Sequence, residues 1–205
     1  MSDALRDEYT ALHGKILAPV AKQLEVLIAS HLAGTPHIDR ISARAKSPDR
    51  FMAKAAKIDK AGSPKYTNPL VQIQDQIGAR VVVFYRRDVE PTSKVLMKYF
   101  RHIEEKEIVP ESEWAFGYFG KHYVLALPKE AVPSEIPLTA APHLFELQIS
   151  TLFQHAWSEA EHDLGYKPRE ALSLDQNRRL AFTAAQAWGA DRIFDELYEE
   201  LAPKA

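Results

Sequence analysis

The chain has 205 residues, 46% of them hydrophobic and 26% charged, with a net charge of −2. That length suits one globular domain with helical additions, and the balanced charge excludes a chain that is polycationic overall. Cysteine is absent, which excludes disulfides and thiolate chemistry and fits a cytoplasmic location. No run of about 18 apolar residues could cross a membrane, and the opening MSDALRDEYTALHGK lacks the basic flank and apolar core of a signal peptide.

In chain order, Leu5, Tyr9, Leu12, Ile16, Val20, Leu24, Leu27 and Leu32 recur at helical steps, predicting one long amphipathic helix over 4–33. Pro19 should kink or divide it. HIDRISARAK predicts a short strand that runs into a basic stretch. Ser47-Pro48 is a helix start, with a hydroxyl cap followed by proline at the first helical position, and that helix is expected to run to about Ala61. Asn68-Pro69 starts a second, short helix. GARVVVFYR at 78–86 is the clearest strand, apolar enough to be covered on both faces. Residues 89–103 read as helix, 121–127 and 143–149 as strands, and 151–164 and 174–202 as helices. The fold expected is α+β, a small mixed sheet flanked by helices, with N- and C-terminal helical extensions.

Four stretches carry candidate chemistry. Region 38–60 holds seven Lys and Arg against three Asp. Within it Arg50, Lys54 and Lys57 share a helix face, while Arg44 and Lys46 end the preceding strand. Together with the helix N-terminus this can hold a polyphosphate without a glycine-rich loop, or it can be a solvated basic face. Asp75 lies at the entry of the central strand, before Gly78, where a carboxylate suits Mg²⁺ or simply forms a turn. Tyr118 and His122, four apart on a strand, share a face, either to meet a base and a phosphate or to form a half-buried pair.

The fourth stretch is FELQIST. Phe145, Leu147 and Ile149 take one face, and Glu146 and Gln148 the other. A carboxylate set into a sheet needs a partner or a metal, so Glu146 reads as a Mg²⁺ ligand or a general base. The helix after it places Leu152, Phe153, Ala156, Trp157, Ala160 and Leu164 on an expected core stripe, with His155, Glu159 and His162 beside it. That second stripe suits a zinc site, a pocket wall or a wet helix face.

The ordered series R-x-K-S-P, D-x-x-G-x-R, G-Y-x-x-x-H, E-x-Q-I-x-T and E-H-x-x-x-Y-K over about 38–167 resembles the synthetase domain of the RelA/SpoT family, especially its small alarmone synthetases. The resemblance implies a nucleotidyltransferase-like fold. It also implies an ATP-dependent pyrophosphokinase that uses Mg²⁺ and transfers pyrophosphate to the 3′-hydroxyl of GTP or GDP. It divides the chain into a helical segment at 1–36, a synthetase domain at 37–170 and a C-terminal helix at 171–205 packed on that domain. It places Arg44 and Arg80 at the adenine of ATP and Lys46, Ser47, Lys54 and Lys57 along its phosphates. Asp75 would hold Mg²⁺, and Glu146 would bind Mg²⁺ or activate the acceptor hydroxyl. Tyr118 would stack on the acceptor base, His122 would approach its phosphates, and His155 would meet its edge.

Two arginines usual in the family are missing: the family's Y-R-S-x-H is Tyr118-Phe119-Gly120-Lys121-His122, and its Q-I-R-T is Gln148-Ile149-Ser150-Thr151. Lys121 is the local cation expected to compensate. An acidic IVPESEWAF precedes Tyr118. Both departures fall on the acceptor side, so two further readings accompany the first. One is a toxic member that modifies the 3′ end of tRNA, for which an antitoxin partner would be expected. The other is a silent nucleotide-binding module. The terminal helices are candidates for packing elements or homo-oligomer contacts.

Overall fold

A computed structural model describes residues 3–109, 115–166 and 172–201. The N-terminal helix is divided as Pro19 requires: α1 (Asp3–Leu12) passes through a π-helical turn (His13–Leu17) into α2 (Ala18–His31), which has Pro19 in its first turn. Proline has no N–H to give to the preceding turn, and the looser π register absorbs the missing bond.

Strand β1 (Ile38–Ala45) leads to α3 (Pro48–Ala55), capped by the Ser47 hydroxyl, which accepts from the Arg50 N–H at 3.4 Å. The helix ends well before the expected Ala61. The Asp59 carboxylate captures the N–H groups of Ala61 and Ser63, and Gly62 takes a φ of 81°, so the chain turns back instead of continuing. A short α4 (Pro69–Gln72) precedes β2 (Ile77–Val83), followed by α5 (Val89–Leu96). α5 stops early too, because His102–Ile108 is a strand, β3. Its sequence, HIEEKEI, shows no apolar face because it is an almost wholly exposed edge strand, held by pairing to β4 (Gly120–Ala126). β5 (Leu144–Thr151), α6 (Leu152–Tyr166) and α7 (Leu174–Leu201) complete the fold.

The five strands lie in the order β1-β2-β5-β4-β3; only the β2–β5 pair is parallel. The architecture is therefore α+β with a mixed sheet, as expected. One face of the sheet carries Ile77, Ala79, Val81, Val83, Leu125, Phe145, Leu147 and Ile149, buried in one core with Tyr9, Leu17, Val20, Leu24 and Ile28. The N-terminal segment thus shares the core of the sheet.

The other face is polar, and strand register builds it. Arg44 lies opposite Gly78, and Gly78 opposite Glu146. One rung along, Ser42, Arg80, Gln148 and His122 follow one another across β1, β2, β5 and β4. The stripe expected to be the core of α6 is not: Ala156, Ala160 and Leu164 are exposed, while Gln154 and Ser158 are buried. The helix turns its polar side toward the sheet end because its partners there are Arg80, the Phe119 main chain and Asp191.

Candidate active site

A cleft of about 690 Å³ opens over the polar face of the sheet. Strand β1 brings Arg44 to it, the following turn and α3 bring Lys46, Ser47 and Lys54, and the turn after α3 brings Lys57. Asp75 enters from the turn before β2, Arg80 from β2 itself, and Glu146 and Gln148 from β5. Every residue expected at ATP, and both expected catalytic carboxylates, thus line one cavity.

Lys46 is doubly anchored through its main chain. Its N–H donates to the Gln76 carbonyl at 2.8 Å, and its own carbonyl accepts from the buried Tyr9 hydroxyl at 2.9 Å. Tyr9 stacks on Phe51 of α3 with ring centroids 3.7 Å apart. The side-chain ammonium groups of Lys46 and Lys54 approach Asp75 Oδ2 at 3.0 and 2.8 Å. Burial pushes the Asp75 carboxyl upward, but the hydrogen bond from Lys54 and the two charges outweigh it and hold it below the ordinary value. The second oxygen, Oδ1, is buried and has no hydrogen-bond partner.

Around Arg44, burial and the neighbouring Arg50 and Arg80 push the guanidinium pKa down. These cations crowd one another, an arrangement that an anion would relieve. Arg80 is held on three sides. Its Nε and one terminal nitrogen donate to Gln148 Oε1 at 3.2 Å. The other terminal nitrogen meets Glu159 Oε1 at 2.6 Å and His155 Nδ1 at 3.2 Å. Burial and then the Arg80 charge depress His155, which favours the neutral ring that can accept this bond. Glu159 is held ionised by Arg80 against the opposing effect of its burial. His155 and Glu159 are therefore the clamp behind Arg80.

Glu146 stands beside His122, Nδ1 to Oε1 at 3.3 Å, and accepts from Gln148 Nε2 at 3.3 Å. Burial alone would raise its pKa; the His122 contact outweighs that and keeps it low, while Asp75 adds an opposing charge. His122 Nε2 in turn reaches the Tyr118 hydroxyl at 3.3 Å. Tyr118 is half-buried and lies across Gly120, where an added Cβ would sit 2.6 Å from its Cζ. Burial pushes its hydroxyl up. Tyr118, His122 and Glu146 thus form one line, of which Glu146 alone lines the cleft.

Lys121 does not join them. Successive strand residues alternate, so Lys121 lies opposite Ile149 on the other face, where it pairs with Glu90 at 2.5 Å and Glu105 at 3.4 Å. The cation expected to replace the missing arginines lies on the face away from Glu146, in a second cavity that Phe119 and Ser150, at the two substituted positions, also line. His162 reaches the cleft mouth but is exposed and paired with Glu161, and among the described residues no three His, Asp or Glu side chains gather to hold a metal. The zinc reading of the α6 face has no geometric support. Most of the acidic run before Tyr118, at 110–114, lies outside the described residues.

Sequence reasoning passed over Gln154, gave no site role to Gln148 or Tyr9, and read Glu159 as part of a zinc stripe, pocket wall or wet face, not as a partner of Arg80. Gln148 carried a usable signal, lying two residues after Glu146 on the same strand face. Nothing local marked the roles of Tyr9, Gln154 and Glu159, whose partners are distant in sequence.

Two oxygen-donor carboxylates in a cation-lined cleft, one with an orphaned buried oxygen, fit a hard divalent cation completed by phosphate oxygens. Residues 43–171 match the family model described as the region found in RelA / SpoT proteins. No curated protein matches the chain by sequence. Among solved structures, small alarmone synthetase 1 from Bacillus subtilis aligns with a TM-score of 0.75 at 20% identity, covering 98% of this chain and 100% of that one. A GTP pyrophosphokinase family protein from Streptococcus pneumoniae aligns with a TM-score of 0.73 at 22% identity, covering 98% and 96%. Small alarmone synthetase 1 from Bacillus subtilis has also been solved bound to its product pppGpp, aligning here at 19% identity with a TM-score of 0.72 over 97% of this chain and 99% of that one.

Proposed function

The chain belongs to the RelA/SpoT family, whose enzymes are of the GTP pyrophosphokinase type, and we propose that it transfers the β,γ-pyrophosphate of ATP to the 3′-hydroxyl of a guanine nucleotide. The observation that carries this reading is that Asp75 and Glu146 open onto the same cleft as the Arg44, Lys46, Lys54 and Lys57 cations. The acceptor's 3′-oxygen attacks the β-phosphorus of ATP, the bond from that phosphorus to the oxygen bridging the α-phosphate breaks, and AMP leaves. The hydroxyl proton passes to Glu146, which its contact with His122 keeps ionised. Such a transfer asks the protein for positioning and charge neutralisation. Lys46, Lys54, Lys57 and the N-terminus of α3 at Ser47 supply the latter along the phosphates, and Arg44 and Arg80 flank the adenine. Asp75 and Glu146 would hold a Mg²⁺ ion, which supplies further neutralisation of phosphate charge when bound. Tyr118 and His122 lie where an acceptor base and phosphates would approach Glu146, and His155 acts through Arg80. The pppGpp in the Bacillus subtilis relative's structure supports a guanine acceptor.

A second reading keeps the chemistry and changes the acceptor to the 3′ end of tRNA. It is favoured by the pairing of Lys121 with Glu90 and Glu105, which already neutralises the cation expected to meet a 5′-triphosphate. Incubation with γ-labelled ATP, Mg²⁺ and GTP, GDP or deacylated tRNA separates the two. Label on the guanine nucleotide is expected; label on tRNA alone would transfer the assignment to the second reading, and bound ATP with no transfer would mark a silent module.

A further inference from the structure

We propose that Asp191 of α7 is a positioning residue for the acceptor subsite, acting through Gln154 on the main chain beside Tyr118. It rests on the acceptor reading given above. Asp191 is 5% exposed, and its Oδ2 accepts from the Thr151 hydroxyl at 2.9 Å and from Gln154 Nε2 at 3.1 Å. Gln154, 3% exposed, uses its remaining amide oxygen to accept from the Phe119 N–H at 3.1 Å. The order of these bonds follows from their chemistry. An ionised carboxylate only accepts, so it draws the NH₂ of Gln154 toward itself and leaves the oxygen facing Phe119. Thr151 fixes the same turn, since its hydroxyl also accepts from the Gln154 N–H at 3.2 Å.

Phe119 lies just before the β4 ladder, which begins at Gly120. A cavity of about 380 Å³ lies along Phe119, Gly120 and Lys121, with Trp188 and Asp191 on its far wall. Packing is therefore absent on that side, and the hydrogen bond from Phe119 stands in for it. The residue before Phe119 is Tyr118, and the residue after is the Gly120 on which the Tyr118 ring lies. Displacing this main chain moves the ring, and with it the hydroxyl that meets His122. Asp191 itself lies beyond the region matched by the family model, so the C-terminal helix contributes to the site without lining the cleft. The Asp191 carboxyl remains buried with Oδ1 unpartnered, and burial pushes its pKa up. An asparagine would preserve both accepted bonds and remove the buried charge.

The test compares Asp191→Ala, Asp191→Asn and Gln154→Ala. Asp191→Ala and Gln154→Ala are expected to raise the acceptor KM about tenfold, the equivalent of one lost hydrogen bond, with ATP affinity unchanged, and Asp191→Asn is expected to restore it. Amide exchange at Phe119 should accelerate in both alanine variants and not in the asparagine variant. An unchanged acceptor KM in folded Gln154→Ala, or an equal loss of ATP and acceptor binding, would overturn the proposal. If the wild type transfers to no acceptor, the pyrophosphokinase reading fails separately; the Phe119 exchange then decides alone, acceleration supporting the tether and its absence refuting it.

Discussion

Arg44 and Glu146 flank Gly78 on one rung of the sheet, so a single residue without a side chain separates the proposed donor and acceptor halves of the cleft. A Cβ at position 78 would meet nothing within 4 Å, and the backbone there is not left-handed. Gly78→Leu should therefore fold, with a melting temperature within a few degrees of wild type. It should lose transfer by about 100-fold or more, because the side chain enters the space between the reactants. Labelled-ATP transfer and thermal melting check this; full turnover by the leucine variant would rule out a reaction across that rung.

His122 sets the acid limb of the pH profile. Glu146 lies below its ordinary value of 4.5 because His122 outweighs burial. With His122→Ala burial prevails, the carboxyl pKa rises, and the acid limb of kcat should move to higher pH. Glu146→Gln should lower transfer by roughly 10²- to 10⁴-fold while ATP binding survives. The pH profile of kcat, together with ATP titration of the glutamine variant, tests both.

Lys121→Met should leave the acceptor KM unchanged and lower the melting temperature, since its partners Glu90 and Glu105 lie on the side of the sheet away from Glu146. A several-fold rise in acceptor KM at unchanged stability would contradict that placement.

Removal of divalent cation with EDTA should abolish transfer. Asp75→Asn should raise the Mg²⁺ concentration for half-maximal rate by at least about tenfold, as expected for loss of one charged oxygen ligand. Unchanged Mg²⁺ dependence in a folded, active asparagine variant would remove Asp75 from the cation site.

Tyr9→Phe should destabilise the protein by about 1 kcal/mol, as its hydroxyl bond to the Lys46 carbonyl is lost and that buried acceptor is left unpaired. The ATP KM should rise with it, since Lys46 is the residue released. Denaturant unfolding and ATP-dependent kinetics measure the two effects.

Some of this was legible in the amino-acid string because the signal was local. Ser47-Pro48 marks its helix by cap chemistry, and Glu146 announces itself as a charge within an apolar strand. Pattern fails where partners are distant. β3 has no apolar face to read, since its only support is the ladder to β4. Lys121 was expected beside His122, which it neighbours in sequence, although the period of a strand sends it to the other face. Gln154 sits on a helix whose apolar residues suggested the opposite buried side, and its reason for burial, Asp191, lies far along the chain.

The π-helical turn at His13–Leu17 has a consequence for insertions and deletions. Its wider loop carries one more residue than an α-turn, so it works as a phase adjuster between Tyr9, which must meet Phe51 and Lys46, and Val20, Leu24 and Ile28, which must meet the sheet. Deleting one residue there would leave Tyr9 and the sheet-facing stripe in nearly their present phase, whereas an extra residue in the regular helix on either side, with no second wide turn to absorb it, would rotate them apart by about 100°. With such an insertion Lys46 would lose its tether with no residue of the cleft altered.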